Sequence, residues 1–481
     1  MLFNSLEFLI FLPIVFLLYW FFLKSIRHQN SFIIVASYVF YGWWDYRFLI
    51  LISFTTLCSY YSGLMIEKGK TKKGKKICAI ANIIINLLIL GVFKYFNFFV
   101  ENLISVLSCA GITLHPYNTI KLILPVGISF YTFQAISYTI DVYCGKIKAT
   151  CDILSFFAYM SFFPQLVAGP IERATNLLPQ FQTFRVFDYT LAVNGTRQIL
   201  WGLFKKIVIA DRCALAVNDI FSNYNSYSSI TLVIGAFLFA FQIYGDFSGY
   251  SDIAIGTAKL FGIRLKRNFN VPYFSQSIVE FWKRWHISLN TWFVDYVYIP
   301  LGGNRKGNLM KIRNILIIFL LSGLWHGANW TFICWGGYHA LLFVPFLFIN
   351  ATKTRIRADD GRFVLSESLR NAARMLLTFV LVVVGWIIFR ADNMNHFFAF
   401  MSNILFWKAG YISVISKATP LLIVFMLAIE WLGRHLEHPM GLFNCGILAK
   451  YVLLRRCLYV MLTFIIIYFA GRQATFIYFQ F

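Results

Sequence analysis

The sequence predicts an all-α integral membrane protein, a polytopic bundle that crosses the bilayer many times. Three observations predict it. Hydrophobic residues fill 59% of the 481 positions and charged residues only 13%, against about 45–50% and about 25% in soluble domains. The mean hydropathy is +0.67. Apolar runs recur from one end of the chain to the other, and aromatics reach 19%, with 53 Phe and 26 Tyr, as lipid-facing helices and interfacial belts require.

The runs lie near residues 8–23, 31–43, 48–66, 77–99, 121–143, 153–168, 189–210, 228–258, 314–348, 373–389, 418–432 and 452–470. The first has no preceding charged stretch and no small-residue cleavage site, so it is expected to stay as a span rather than leave as a signal peptide. Several are shorter than the ~20 residues of a simple crossing, which points to tilted or re-entrant segments. The expectation is roughly eleven transmembrane helices plus re-entrant or interfacial helices. The run at 314–348 is too long for one helix and is expected to bend near its glycines. With no long hydrophilic stretch, repeat or low-complexity tract, residues 1–481 are expected to form a single membrane-embedded domain.

A net charge of +23 raises nucleic acid as a partner, but the placement of the charge excludes it. Lys68, Lys70, Lys72, Lys73, Lys75 and Lys76 crowd one short loop, and Lys24, Arg27 and His28 another. Positive residues in short loops mark the cytoplasmic side of a membrane, and contact with anionic lipid heads follows. Two spans separate these loops. The turn Tyr41–Arg47, "YGWWDYR", is therefore expected outside, and the N-terminus with it, in a multi-pass protein of the cytoplasmic (inner) membrane. The segment from Cys144 to Lys148 should return to the cytoplasm. The nine cysteines contain no CxxC and read as small buried hydrophobes, with no disulfide and no metal site assigned.

Four segments break the lipid-like pattern. In "LPVGISFYTFQAISYTIDVY", Leu124–Tyr143, Pro125 and Gly127 disrupt a helix start and polar residues follow along the helix. In "FFPQLVAGPIER", Phe162–Arg173, two prolines and a glycine forbid a continuous helix. Such backbone survives at membrane depth only inside protein or beside water, so a buried or re-entrant segment is preferred over a surface loop. In "QIYGDFSGYSDIAIG", Gln242–Gly256, Asp246 and Asp252 lie six apart among three glycines. Close helix packing with the carboxylates held by arginine or hydroxyl partners is expected there, ahead of acid–base chemistry.

The fourth is "SQSIVEFWKRWHISLNTWFVDYVYIPLGGNRKG", Ser275–Gly307. Trp282, Trp285, Leu289, Trp292 and Tyr296 follow steps of three and four, an aromatic stripe on one helical face. This predicts an amphipathic helix at or inside the membrane interface, with His286 bordering the stripe. A further segment, "SGLWHGANW" at Ser322–Trp330, places a histidine within a membrane run, where an ionisable group is costly. On a continuous helix Ser322, His326, Asn329, Trp330 and Ile333 would share a face, and Gly327 would clear space beside the ring. Residue pattern alone leaves a packed structural role and a catalytic one open for His326. His339, thirteen positions on, falls on another face, which argues against a two-histidine metal site.

Taken in order, "LPVGISFYTFQAISYTIDVY", "FFPQLVAGPIER", "YGDFSGYSDIAIGTAKLFGI", "FWKRWHISLNTWFVDYVYIPLGGNR", "LWHGANWTFICWGGYHA" and "FRADN" resemble the membrane-bound O-acyltransferases over about residues 120–395. They are closest to the bacterial branch with the alginate O-acetylation, peptidoglycan O-acetylation and D-alanylation membrane proteins. Val294, Asn290 and Ala340 depart from the residues expected at their positions, an arginine, a serine and a glycine.

The resemblance implies helices around a central tunnel with His326 as the principal catalytic histidine and His286 as the second. Acyl transfer from a thioester to an alcohol requires removal of the hydroxyl proton and stabilisation of an oxyanion. A buried, neutral imidazole suits the first task. His326 is expected to be the general base, and His286 to orient an intermediate or donate to the oxyanion. Ser322, Asn329, Trp330 and Trp285 are expected to wall the substrate site.

No tightly bound cofactor is expected. The donor implied is cytoplasmic acetyl-CoA, or a carrier-protein thioester as in the D-alanylation relatives. The acceptor implied is an extracytoplasmic polysaccharide, reached directly or through a secreted SGNH or esterase-like partner. D-alanyl, lipid or protein acyl transfer remain alternatives within the family. A non-enzymatic polysaccharide or lipid transporter is the alternative outside it, and the absence of internal symmetry argues against that one.

Overall fold

The computed structural model describes residues 1–112, 123–167, 169–305, 307–347, 365–411, 416, 418–444, 449–471, 474, 476 and 477. The described residues form an all-α protein without a β-strand. Among the described residues seven helices are long and apolar enough to cross a membrane, and the helices Leu6–Phe22 and Ala418–Leu432 are shorter but apolar. A typical one, Phe48–Lys68 with 21 residues, spans the ~30 Å hydrocarbon core at 1.5 Å per residue. Large side chains such as Leu9, Ile50 and Phe464 point outward, as lipid-facing positions do. The protein is a multi-pass membrane protein. Its chain folds as two compact units, Met1–Thr196 with Ala254–Lys266, and Arg197–Ile253 with Arg267–Phe481.

The first unit begins with α1 (Leu6–Leu17), α2 (Ile26–Gly42), α3 (Phe48–Lys68) and α4 (Lys72–Leu90). Then come α5 (Phe96–Cys109), α6 (Ile128–Tyr143), α7 (Ile153–Ser161), the single turn α8 (Phe163–Leu166) and α9 (Ala174–Gln182). Small and polar residues hold these helices together, because lipid removes the hydrophobic drive for helix association. A Cβ at Gly63 on α3 would sit 2.6 Å from the Tyr138 hydroxyl on α6. Asn82 on α4 donates to Thr139 Oγ1 at 2.6 Å and to Ser59 Oγ at 3.3 Å, tying α4 to α6 and α3.

The polar residues noted along Leu124–Tyr143 face inward here. Gln134 donates to the Tyr159 carbonyl at 2.9 Å and accepts from Gln165 at 2.8 Å. Gly127 starts α6 at φ 76°. The "FFPQLVAGPIER" segment is broken and buried: α8 lasts four residues and the described residues from Phe162 to Arg173 are all buried. The buried Glu172 carboxylate accepts from the Lys266 amide and, at 2.7 Å, from Asn176.

In the second unit the chain leaves α10 (Tyr189–Leu203) through a π-helical stretch, Phe204–Ala210, into α11 (Asp211–Ser222). The long α12 (Ser229–Leu260) follows, then two short helices, α13 (Ile278–Arg284) and α14 (Ile287–Phe293). α15 (Gly307–His326) and α16 (Trp330–Phe343) form a tight pair, and α17 (Leu365–Arg390), α18 (Met394–Leu405), α19 (Ala418–Leu432) and the helix Val452–Phe469 complete the unit.

The bend expected within 314–348 is a complete break at 327–329. Glycines set the spacing of the resulting hairpin. A Cβ at Gly323 would lie 2.2 Å from the Phe332 carbonyl oxygen, and one at Gly336 2.2 Å from that of Phe319, so only glycine permits the approach.

Two sequence expectations change. The aromatic stripe does not lie on one interfacial helix: the chain breaks between α13 and α14, and Trp282, Trp285, Leu289 and Trp292 are buried in protein. The cysteines are not generally buried. Of the eight described, Cys213 alone is buried, while Cys109, Cys144, Cys151 and Cys457 are exposed at helix ends or on the outward face of the last helix.

Candidate active site

The break between α13 and α14 exists because His286 adopts a left-handed backbone, φ 44° and ψ 52°. A side chain there costs roughly 1–2 kcal/mol, and such strain persists only where surrounding contacts over-determine it. Here the extended stretch after α12 supplies them. The Ile287 amide donates to the Asn268 carbonyl at 2.9 Å and the Asn270 amide to the Arg284 carbonyl at 2.9 Å, bracketing the strained residue. The His286 ring is 1% exposed. It stands edge-on to Phe247 with centroids 4.6 Å apart, and its Nδ1 lies 3.2 Å from Asn268 Oδ1.

His326 is the last residue of α15 and is 4% exposed. Its ring meets Trp325 at 5.0 Å, Trp335 at 5.1 Å and Phe389 at 5.4 Å. Trp325 is the link between the two histidines, since its ring centroid also lies 5.9 Å from that of His286. Trp285 joins the same aromatic layer through Trp386, at 4.9 Å, which stacks on Trp335 at 5.9 Å. The fold therefore brings His286, His326 and Trp285 together from α13, α14 and α15, with α16 and α17 closing the layer.

The other expected wall residues divide. Ser322 is buried one turn before His326. Asn329 is the N-cap of α16: its side chain accepts from the Thr331 amide at 3.0 Å and donates to the Asp392 carbonyl at 2.9 Å. Trp330 is 53% exposed on the first turn of α16. The shared helical face drawn from Ser322 to Ile333 does not exist, because the helix stops at His326. Gly327 does not clear space for a substrate either, since the Phe332 ring occupies it, 2.2 Å from where a Cβ would be. His339 is fully buried and, like His326, lies against Trp335, with centroids 5.1 Å apart. Among the described residues no group of three His, Cys, Asp or Glu could hold a metal ion.

The carboxylates of α12 have partners that the sequence did not announce. Lys205 Nζ lies 2.6 Å from Asp252 Oδ2 and 2.8 Å from Ser248 Oγ, and Gln198 donates to Asp252 Oδ1 at 2.8 Å. Lys206 Nζ bridges Asp211 and Asp246, at 2.7 Å each. Tyr244 donates to Glu430 at 2.8 Å. Consecutive lysines serve different clusters because successive side chains on a helix diverge by about 100°. Asn268, Trp325, Trp386 and Phe389 also escaped the sequence reading. Asn268 carried one legible sign, a polar residue in an irregular stretch ("RNFNVPYF") between two apolar helices.

Comparison with known proteins decides the family. A model described as MBOAT, membrane-bound O-acyltransferase family, matches residues 146–364. The chain is 41% identical over 397 residues to the probable alginate O-acetylase AlgI of Pseudomonas aeruginosa, covering 82% of this chain and 73% of the relative. The chain belongs to the membrane-bound O-acyltransferase family. It is also 35% identical over 426 residues to the peptidoglycan O-acetyltransferase of Helicobacter pylori, covering 82% and 78%. The teichoic acid D-alanyltransferase of Bacillus subtilis is 28% identical over 294 residues, covering 58% and 71%. As a member of the family the protein is a membrane O-acyltransferase, and its reaction consumes an acyl donor.

Proposed function

We propose that this O-acyltransferase takes an acetyl group from acetyl-CoA on the cytoplasmic side and delivers it for O-acetylation of a polysaccharide outside the cell, with a secreted esterase-like protein as the link to the polymer. The observation that carries the reading is the pair of buried histidines, His286 and His326, on either side of Trp325, whose ring centroid lies 5.9 Å from the first and 5.0 Å from the second. The relatives' named reactions support acetyl over D-alanyl transfer: those named for O-acetylation are more similar and match along more of the chain. A carrier-protein thioester is the corresponding donor for D-alanyl transfer.

In the proposed reaction the acceptor oxygen attacks the thioester carbonyl carbon while His326 takes the hydroxyl proton. The tetrahedral intermediate then expels the thiolate, which leaves with a proton as free thiol. His286 orients the reacting groups. Ser322 and Trp285 line the enclosure, whereas Asn329 and Trp330 act at its margin by fixing the start of α16. The inner membrane is the location, the N-terminus lies outside, and residues 1–481 work as one membrane-embedded domain. A charged donor cannot cross lipid, so the chemistry has to be reachable from both faces.

The test is acetyl transfer from radiolabelled acetyl-CoA in proteoliposomes holding the purified protein and candidate acceptors. Ester formation by the wild type that is lost in His326→Ala at equal membrane abundance is the expected result. Acetylation that survives His326→Ala removes the base assignment. Movement of a polysaccharide or lipid with no ester formed points to a transporter.

A further inference from the structure

We propose that Asn268 is the positioning residue of the second histidine: it locks His286 as the Nδ1–H tautomer, so that the ring presents a bare Nε2 lone pair and serves as a hydrogen-bond acceptor rather than an oxyanion donor. This rests on the reading that His286 works in acyl transfer.

The assignment follows from donors and acceptors. The Ser288 backbone amide points at the Asn268 side chain, with 3.3 Å between Ser288 N and the atom it meets. A backbone amide can only donate, so that atom is the carbonyl oxygen Oδ1 whatever orientation the amide is drawn in. The other end, Nδ2, then donates to Ser251 Oγ at 3.1 Å, which fits an amine. His286 Nδ1 faces the same Oδ1 at 3.2 Å. Two lone pairs at that distance would repel, so Nδ1 carries the proton and donates it. A neutral imidazole has one N–H, which leaves Nε2 unprotonated.

The competing arrangement has the Ser288 hydroxyl donate to Nδ1 and force the proton onto Nε2. Distance decides against it. Ser288 Oγ is 2.9 Å from Asn268 Oδ1 but 3.5 Å from His286 Nδ1, so the hydroxyl proton belongs to the amide oxygen. His286 Nε2 is buried and has no hydrogen-bond partner among the described residues. A buried acceptor without a partner is costly, and a reacting hydroxyl entering the enclosure would satisfy it. The left-handed backbone points the same way. Asn268 accepts the Ile287 amide on its backbone carbonyl and the Ser288 amide on its side chain, so one residue holds both the strained loop and the ring.

The lock can be read directly by magic-angle-spinning NMR of protein labelled with ¹⁵N,¹³C-histidine in bilayers, with the His286 signal assigned by its loss in His286→Gln. The expected wild-type signal is a protonated Nδ1 and an unprotonated Nε2. Asn268→Ala should lose that signature and lower kcat roughly 10²-fold, the cost of a misplaced reacting group, with KM for acetyl-CoA nearly unchanged. Asn268→Asp keeps the acceptor oxygen and should restore both the Nδ1–H signal and most of kcat. A protonated Nε2 in the wild type overturns the proposal, and that spectrum is decisive even if Asn268→Ala fails to fold. A folded Asn268→Ala with unchanged tautomer or unchanged kcat overturns it too. Failure of the underlying reading looks different: full activity in His286→Gln, with the Nδ1–H signal still present in the wild type, removes the use of the lone pair while the lock stands.

Discussion

Each half of the Ser322–Trp330 segment does a different job at the scale of single residues. His326 closes α15 inside aromatic rings, while the Asn329 side chain, three positions later, holds the Thr331 amide of α16 and the Asp392 carbonyl. Their substitutions should separate cleanly. His326→Ala should reduce acetyl transfer by about 10²–10⁴-fold, the usual worth of a positioned base, at unchanged abundance. Asn329→Ala should instead cost about 1 kcal/mol of stability, as cap losses do, visible as a lower melting temperature in detergent with most activity retained. Both histidines were legible because each stands in a long, specific motif. Asn268 was not, because its importance comes from folding an irregular stretch against a residue 18 positions away, and no helical or strand periodicity marks such a contact.

Helices and the connections between them explain which expectations held. The runs became helices where the sequence was apolar and uninterrupted, and the glycine bend in 314–348 became a hairpin turn. The aromatic stripe failed because periodicity assumes one helical path, and His286 leaves that path. Gly336→Val should disrupt the α15–α16 hairpin, because the added atoms meet backbone rather than a movable side chain. Overpacking of this kind costs about 1–3 kcal/mol or more, to be read as loss of folded protein on size-exclusion chromatography. Lys206→Met should be harsher, leaving Asp211 and Asp246 facing each other without their shared cation. Breaking a buried ion pair costs roughly 3–5 kcal/mol, and near-complete loss of expression is expected. The aspartates were visible in the sequence. Their lysines were not, since two adjacent lysines at the end of an apolar run look like an ordinary interfacial pair.

The charge pattern of the whole chain makes a topological statement that the fold alone does not. The lysine-rich start of α4 should be cytoplasmic, so a cysteine placed at Lys73 should react with a membrane-impermeant maleimide in inverted vesicles and not in intact cells. Labelling from outside would reverse the orientation, and with it the side from which the donor arrives. The background must lack the exposed Cys109, Cys144, Cys151 and Cys457, which a reading from hydropathy alone would have left in place. Fold class and membrane character were legible from composition because the bilayer dictates both. The assortment of the chain into two compact units was not, since two of its three boundaries, at 196/197 and 253/254, fall inside the helices α10 and α12.

The left-handed turn at position 286 makes glycine a special replacement there. His286→Gly relieves the conformational penalty that the imidazole bears and leaves a ring-shaped hole walled by Phe247 and Phe269. Free imidazole added to that variant has a ready-made berth, and recovery of turnover that saturates with its concentration would show a detached ring doing the work of a tethered one.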